Sequence, residues 1–191
     1  INSKKLISKI ENLIEKARKP VLILGGGIKY GKAEKDLKKF LKYFQIPIVT
    51  TWSGVDLLDH RSKKYIGNIG VYGSRAANFA IQNSDLFLCL GSRLDTRITG
   101  GVPKTFARNA KKIVVDIDKN EIEKKRGLKI DVPVEMDVKY FFKKYLKYKK
   151  KNIIKKDWLI RCNVWKMKYP MVLKKYYQEK KNVNPYVFTN Y

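Results

Sequence analysis

The sequence predicts a doubly wound α/β domain, a mostly parallel sheet with helices on both faces. Short segments that are apolar throughout, such as "VLIL" (21–24) and "DLFLCLG" (85–91), are what strands buried on both faces require. Segments with apolar residues at helical spacing lie between them, so strands and helices alternate. Small residues follow the strand ends, most visibly the three glycines at 25–27.

In chain order, residues 1–18 place Leu6, Ile7, Ile10, Leu13, Ile14 and Ala17 on one helical face, and Pro20 ends that helix. "VLIL" is the first strand. A helix over 33–44 follows, striped by Ala33, Leu37, Phe40, Leu41 and Phe44, and "IPIVTT" (46–51) is the second strand. An irregular glycine-containing stretch runs to "IGNIGVYG" (66–73), after which Ser74 caps a helix to about Asn83. "DLFLCLG", "KIVVDID" (112–118) and "LKIDVPV" (128–134) are the remaining strands, and a helix over 138–148 closes the unit. Residues 149–183 read as a helical linker without further strands. At 184–191, Asn184 as N-cap and Pro185 at the first helical position open a following domain. Ile1 stands where an initiator Met would, so the sequence reads as a piece of a longer chain.

The 191 residues suffice for one domain with a sizeable core. No apolar run approaches the roughly 20 residues that span a bilayer. The two cysteines, Cys89 and Cys162, form no CxxC pair, and His60 is the only histidine, so neither a zinc site nor a disulfide framework is expected; a reducing cytoplasm is. Lys and Arg number 43 against 17 Asp and Glu, a net charge of +26, which raises nucleic-acid binding. The excess is concentrated between Lys139 and Lys181, where the only acids are Asp157 and Glu179. It is nearly all lysine, without arginine clusters or the spacing of known base-reading motifs, so lysine-biased solvated faces are the preferred reading and no specific nucleic-acid partner is expected.

Ligands of open α/β sheets sit at the carboxyl ends of the strands. Those ends here supply Gly25, Gly26 and Gly27; Thr51, Trp52 and Ser53; Ile69, Gly70, Val71 and Tyr72; "GSRLDTRITGG" (91–101); and Asp116, Ile117 and Asp118. Hydroxyls, carboxylates and two arginines on one rim suit a phosphorylated, hydroxyl-bearing ligand. The glycines fit G-x-G-x-x-G only in part, since Tyr30 occupies the third glycine position, and the second strand ends in Thr50 and Thr51 rather than an acid. Ordinary NAD binding is therefore disfavoured. The alternative for the glycines is a tight strand-to-helix turn. Arg93 and Arg97 suit phosphate, the alternative being an ion pair to Asp95. Asp116 suits ribose or ribityl hydroxyls, the alternative being a helix N-cap; Asp118 and Asp137 carry the same ambiguity.

Taken together, "GGG", "TTWSG", "IGNIGVYGSRAANFAIQNSDLFLCLGSRLDTRITG", "KIVVDIDKNEI" and "MDV" resemble the central domain of thiamine-diphosphate-dependent enzymes of the acetolactate synthase type, over about residues 1–145. The most specific part is the G-x-R-x-D-x-R-x-T-G string. The resemblance implies a Rossmann-like central domain that holds FAD in a largely structural role. In that family, thiamine diphosphate and Mg²⁺ are bound by other domains, at an active site formed between two subunits of a homodimer or homotetramer. It places FAD contacts on Gly25 to Gly27, Thr51, Trp52, Ser53, Ile69 to Tyr72, Gly91, Ser92, Arg93, Asp95, Arg97, Ile98, Asp116, Ile117, Asp137 and Val138. It assigns no catalytic or metal-binding residue to this chain. The parent activity it implies is decarboxylation of a 2-oxo acid followed by carboligation. Two departures stand out: Tyr72 precedes Gly73 where the family has a histidine, and Leu94-Asp95-Thr96 replaces its paired acids. Relatives with this domain hold ADP or nothing in the same groove, which leaves a non-catalytic nucleotide-binding or assembly domain as the alternative.

Overall fold

A computed structural model of the chain describes residues 2–123, 127–179 and 181–189. Ile1 and the last two residues of the expected following domain, 190 and 191, lie outside these, as does Lys180 in the basic segment.

The chain opens with α1 (Ser3–Lys16), whose N-cap Asn2 accepts the amides of Lys4 and Lys5. β1 (Pro20–Leu24), α2 (Gly27–Tyr30) and α3 (Glu34–Phe40) follow. The helix expected over 33–44 is shorter than its apolar stripe. After Phe40 it tightens into a 3₁₀ turn (Leu41–Tyr43) and passes into β2 (Phe44–Gln45). β3 (Ile48–Thr50) is the core of the expected second strand. The stretch read as irregular contains a 3₁₀ turn (Trp52–Leu57) and β4 (Tyr65–Asn68). α4 (Arg75–Gln82) starts at Ser74 as expected, the Ser74 hydroxyl accepting the Ala77 amide. β5 (Leu86–Leu90), α5 (Thr96–Thr99), β6 (Lys111–Asp116), α6 (Lys119–Glu123) and β7 (Val132–Glu135) complete the sheet region, followed by α7 (Val138–Tyr148). β7 begins later than the apolar run at 128 suggested, because Leu128 and Ile130 pack on the opposite side of the sheet as loop residues. β8 (Ile153–Ile154), α8 (Lys156–Lys168) and α9 (Pro185–Phe188) follow, the last capped by Asn184.

Six strands form one parallel sheet in the order β4-β3-β1-β5-β6-β7. Counted within the sheet alone, that is the doubly wound order 3-2-1-4-5-6, with its switch point between β1 and β5. Each central strand feeds two cores. Leu22 and Leu24 of β1 join Leu88 and Leu90 of β5 beneath α1, α3 and α7, whereas Val21, Ile23, Phe87 and Cys89 face α4 and α8. The first core holds an aromatic knot in which Phe40 lies 4.5 Å from Phe44, 5.0 Å from Phe142 and 4.8 Å from Tyr145, centroid to centroid. On the other side, Ala76, Ala77 and Ala80 let α4 approach the sheet closely.

The expected linker is structured in its first half. β8 pairs in parallel with β2, Phe44 against Ile153 and Gln45 against Ile154. The buried Glu11 carboxylate accepts the amides of Lys150 and Lys151 at 2.9 and 3.0 Å. α8 then lies against α4 and buries Trp158 and Cys162 in the second core. Several lysines are likewise not on solvated faces. Lys64 donates to the carbonyls of Leu41 and Phe44, Lys112 to Ala107 and Ala110, and Lys166 to His60 and Tyr65. Burial lowers the pKa of all three. Lys166 thereby occupies a carbonyl of β4, which lies at one edge of the sheet. Among the described residues no helix is long and apolar enough to cross a membrane.

Candidate functional site

The loops that leave β1, β3, β5 and β6 meet at the switch point and enclose a groove of about 520 Å³. Its floor forms where the first and third of them cross. The Gly25 amide donates to Leu90 O and the Gly27 amide to Gly91 O, both at 2.9 Å. A Cβ on Gly25 would fall on the Gly91 carbonyl and the Ser92 side chain, and one on Gly27 would sit 2.9 Å from Gly91 Cα. Gly91 itself has φ +63°, in the left-handed region that favours glycine. A Cβ on Gly26 would press on Ser53 Cβ at 2.6 Å, so the middle glycine fits the β3 loop against the same floor. The glycines thus serve backbone-to-backbone packing first. Of their amides only that of Gly26 has no partner among the described residues.

One wall is Thr51, Trp52 and Ser53, braced by an ion pair of 2.9 Å between Lys29 of α2 and Asp56. Lys29 holds the Asp56 carboxyl below its ordinary range. The opposite wall is the β5 loop, where Ser92, Arg93, Asp95, Arg97 and Ile98 line the groove. Asp95 caps α5 by accepting the Arg97 amide at 3.0 Å, and its other oxygen lies 3.5 Å from Arg93 Nε. The ion pair that was the alternative for the arginines therefore exists for Arg93. Among the described residues no acid pairs with the Arg97 guanidinium. The turn is held by Leu94 at φ +47°, buried and with its amide on the Ser92 hydroxyl.

At the far end, Asp116 accepts the Asp118 amide and Asp118 accepts the Asn120 amide, at 3.0 and 2.8 Å. Both carboxylates are thus oriented by backbone while still lining the groove, together with Glu121. An apolar recess adjoins this end. It shares Ser92, Arg93, Asp116 and Glu121 with the groove and is walled by Leu94, Val114, Ile122 and Leu128. Cys89, beneath the floor, donates weakly to Ser92 O at 3.6 Å. Burial, and secondarily the Asp116 charge, push its thiol far up, which makes it a packing residue rather than a nucleophile.

The remaining candidates lie around or away from the groove. The 69–73 loop backs the β5 loop, with the Val71 amide on Arg97 O at 2.9 Å, and Tyr72 sets its ring 5.5 Å from that of Trp52. Ile117 is exposed. Asp137 spends its carboxylate capping α7, accepting the amides of Lys139 and Tyr140, and Val138 is buried in the first core. Neither lines the groove. Two groove residues, Tyr30 and Glu121, were absent from the residues named in the sequence, and Asp118, named there on the rim, was outside the FAD contacts that the resemblance implies. The signal for the two acids was available, because they stand three apart at the start of the helix after β6 and so share a face. Among the described residues no group of three or more His, Cys, Asp or Glu is placed to hold a metal ion.

Sheet order and groove position define the class, a doubly wound parallel α/β domain with its cavity at the topological switch point. The family model described as "Thiamine pyrophosphate enzyme, central domain" matches residues 7–145, and the chain belongs to that family. It is 33% identical to the acetolactate synthase large subunit of Cyanidium caldarium over 86% of this chain and 29% of the relative. It is 36% identical to the probable acetolactate synthase large subunit of Methanococcus aeolicus over 74% and 23% of the two chains. With the acetolactate synthase of Mycobacterium avium it shares 43% identity over 66% of this chain and 20% of the relative. The chain thus spans less than a third of the length of these relatives.

Proposed function

We propose that this is the central domain of an acetolactate synthase-like enzyme and that its groove holds FAD, with ADP as the shorter ligand of the same site. The observation that carries this reading is the Arg97 guanidinium, unpaired with any acid among the described residues, set in one groove with Arg93, Ser53, Ser92 and the oriented carboxylate of Asp116. Arginine and the spare Gly26 amide suit a pyrophosphate, and an oriented carboxylate suits sugar hydroxyls. The residues present therefore fit the nucleotide part of FAD; Asp137 and Val138 would take no direct part. A bound flavin would supply a rigid insert that ties the four loops together, with no net redox role.

In the parent enzyme, thiamine diphosphate would supply the decarboxylation of a 2-oxo acid and the transfer of the resulting two-electron nucleophile to a second carbonyl. The side chains for that step, and those for Mg²⁺, are assigned to other domains of the same subunit, working at a contact between two subunits of a homodimer or homotetramer. A reducing cytoplasm suits the two buried free thiols.

The test is flavin itself. The purified chain should retain flavin absorbance through gel filtration, or regain it when stripped protein is titrated with FAD, and ADP should compete. Binding of neither nucleotide overturns the reading. Release of CO₂ from pyruvate by the pure chain would overturn the assignment of catalysis to other domains.

A further inference from the structure

The charge excess is densest between Lys139 and Lys181 in the sequence, and the fold sets the start of that segment, α7, beside two further lysine-bearing helices. α7 lies between α1 and α3 on one side of the sheet and touches both. Their apolar stripes are turned inward: Ile7, Ile10 and Ile14, Leu37 and Phe40, and Phe141, Phe142 and Tyr145 are all buried. What remains outside is mostly lysine, with Glu34 exposed and Asp36 half-buried in the first turn of α3 as the acids of that helix. Lys35, Lys38 and Lys39 of α3 and Lys143 and Lys147 of α7 are exposed, as are Lys4, Lys5, Lys9 and Lys16 of α1. α7 carries no acid at all. On α1, Glu11 is buried and Glu15 is paired with Lys151 at 2.6 Å. Among the described residues no salt bridge involves a lysine of these three helices. Packed neighbouring helices lie about 8–10 Å apart. At about the screening length of physiological salt, these rows therefore still add their fields.

We propose that this lysine face binds the phosphate backbone of nucleic acid without reading its sequence. Lysine is a compact point charge that satisfies phosphate without fixing its orientation, and α1, α3 and α7 contain no arginine to make bidentate contacts with base edges. Tyrosines stand among the lysines. Lys144 Nζ lies 4.6 Å from the Tyr140 ring centre and Lys149 Nζ 3.5 Å from that of Tyr43, which offers flat platforms for unpaired bases. An anionic membrane is the other partner such charge attracts. Helices that lie in a bilayer interface insert an apolar face, and here those faces form the core; Tyr140 is the one large hydrophobic side chain exposed on the three helices.

The test uses the whole chain and two fluorescently labelled single-stranded oligonucleotides of unrelated sequence, read by anisotropy across a salt series. The Lys38→Glu, Lys39→Glu, Lys143→Glu, Lys147→Glu variant is compared with a control of equal charge change, Lys63→Glu, Lys104→Glu, Arg108→Glu, Lys168→Glu, on exposed positions elsewhere. Native protein should bind both oligonucleotides alike and still measurably at physiological salt. The face variant should lose at least about tenfold in affinity and about 3 units of salt slope, and the control far less. The same four lysines changed to Gln should give a smaller loss in the same direction, which covers a reversal variant that fails to fold. Equal losses in face and control variants, a strong preference for one sequence, disappearance of binding at physiological salt, or tighter binding to phosphatidylserine vesicles would each overturn the proposal.

Discussion

Gly25 and Gly91 meet with no room for a side chain between them. The Gly25 amide bonds Leu90 O, the Gly91 amide bonds Val115 O, and a Cβ on Gly25 would overlap the Gly91 carbonyl. Three adjacent strands are thereby laced together at the point where the sheet order reverses, and the groove floor inherits their rigidity.

Substituting this floor should cost stability. Gly27→Ala places a methyl 2.9 Å from Gly91 backbone atoms, an overpacking of about 1 to 3 kcal/mol. Gly101→Ala, with nothing within 4 Å of its Cβ, should stay within about 0.5 kcal/mol of the native protein. Urea midpoints of the two variants make the comparison, and equal midpoints would show that the loops part without cost.

The two arginines should differ. Arg97→Ala removes a guanidinium that has no acid partner among the described residues and should weaken FAD or ADP binding by about 10- to 100-fold, the worth of one charge-assisted hydrogen bond. Arg93 shares its charge with Asp95 at 3.5 Å and is largely exposed, so Arg93→Ala should cost less. Isothermal titration reads both, with the melting temperature of the nucleotide-free protein unchanged.

Glu11 holds the start of the post-α7 segment by its carboxylate. Glu11→Ala leaves two amides without their acceptor and should cost about 1 to 3 kcal/mol. Hydrogen exchange at Lys150 and Lys151 should accelerate more than at Leu88, in the middle of β5. Uniform acceleration would mean that the segment opens only with the whole domain.

The thiols give a pH dependence. Burial pushes Cys162 up to about 12 from an ordinary 9.0, so the folded state keeps its proton after the unfolded state has released it. Stability from this group is complete below about pH 9 and declines as pH rises toward 12. Cys162→Ala should flatten the fall in the urea midpoint between pH 8 and pH 10. At pH 8 a thiol reagent should label neither buried cysteine until denaturant is added.

The central strands were legible because burial on both faces leaves a continuous apolar signature, and the ends of α7 and α4 because Asp137 and Ser74 cap them. β4 was not legible. It has four residues, includes Gly67 at φ +140°, and pairs with β3 through a register shift. β2 was hidden for another reason: Phe44 continues the apolar stripe of α3, and its strand partner, Ile153, lies far along the chain. In the site, chain order alone brings Arg93, Arg97 and Asp116 to the carboxyl rim. It does not tell a rim carboxylate from one that caps the helix behind it, and both kinds occur: Asp118 lines the groove while Asp137 caps α7. Tyr30 stood in the sequence as a missing glycine, and only the course of α2 turns it toward the groove.

The pairing of Phe44 with Ile153 also orders events in time. Joining segments so distant in the chain carries a somewhat larger loop-closure cost than pairing β1 with β5, and only two residue pairs reward it against the five that join those strands. The β2–β8 clip is thus expected to close after the sheet has formed, with α8 settling alongside it. A polypeptide truncated behind α7 would retain every loop of the groove. It would also expose the side of the sheet and of α4 that Trp158 and Cys162 cover, and would be prone to aggregation for want of that helix.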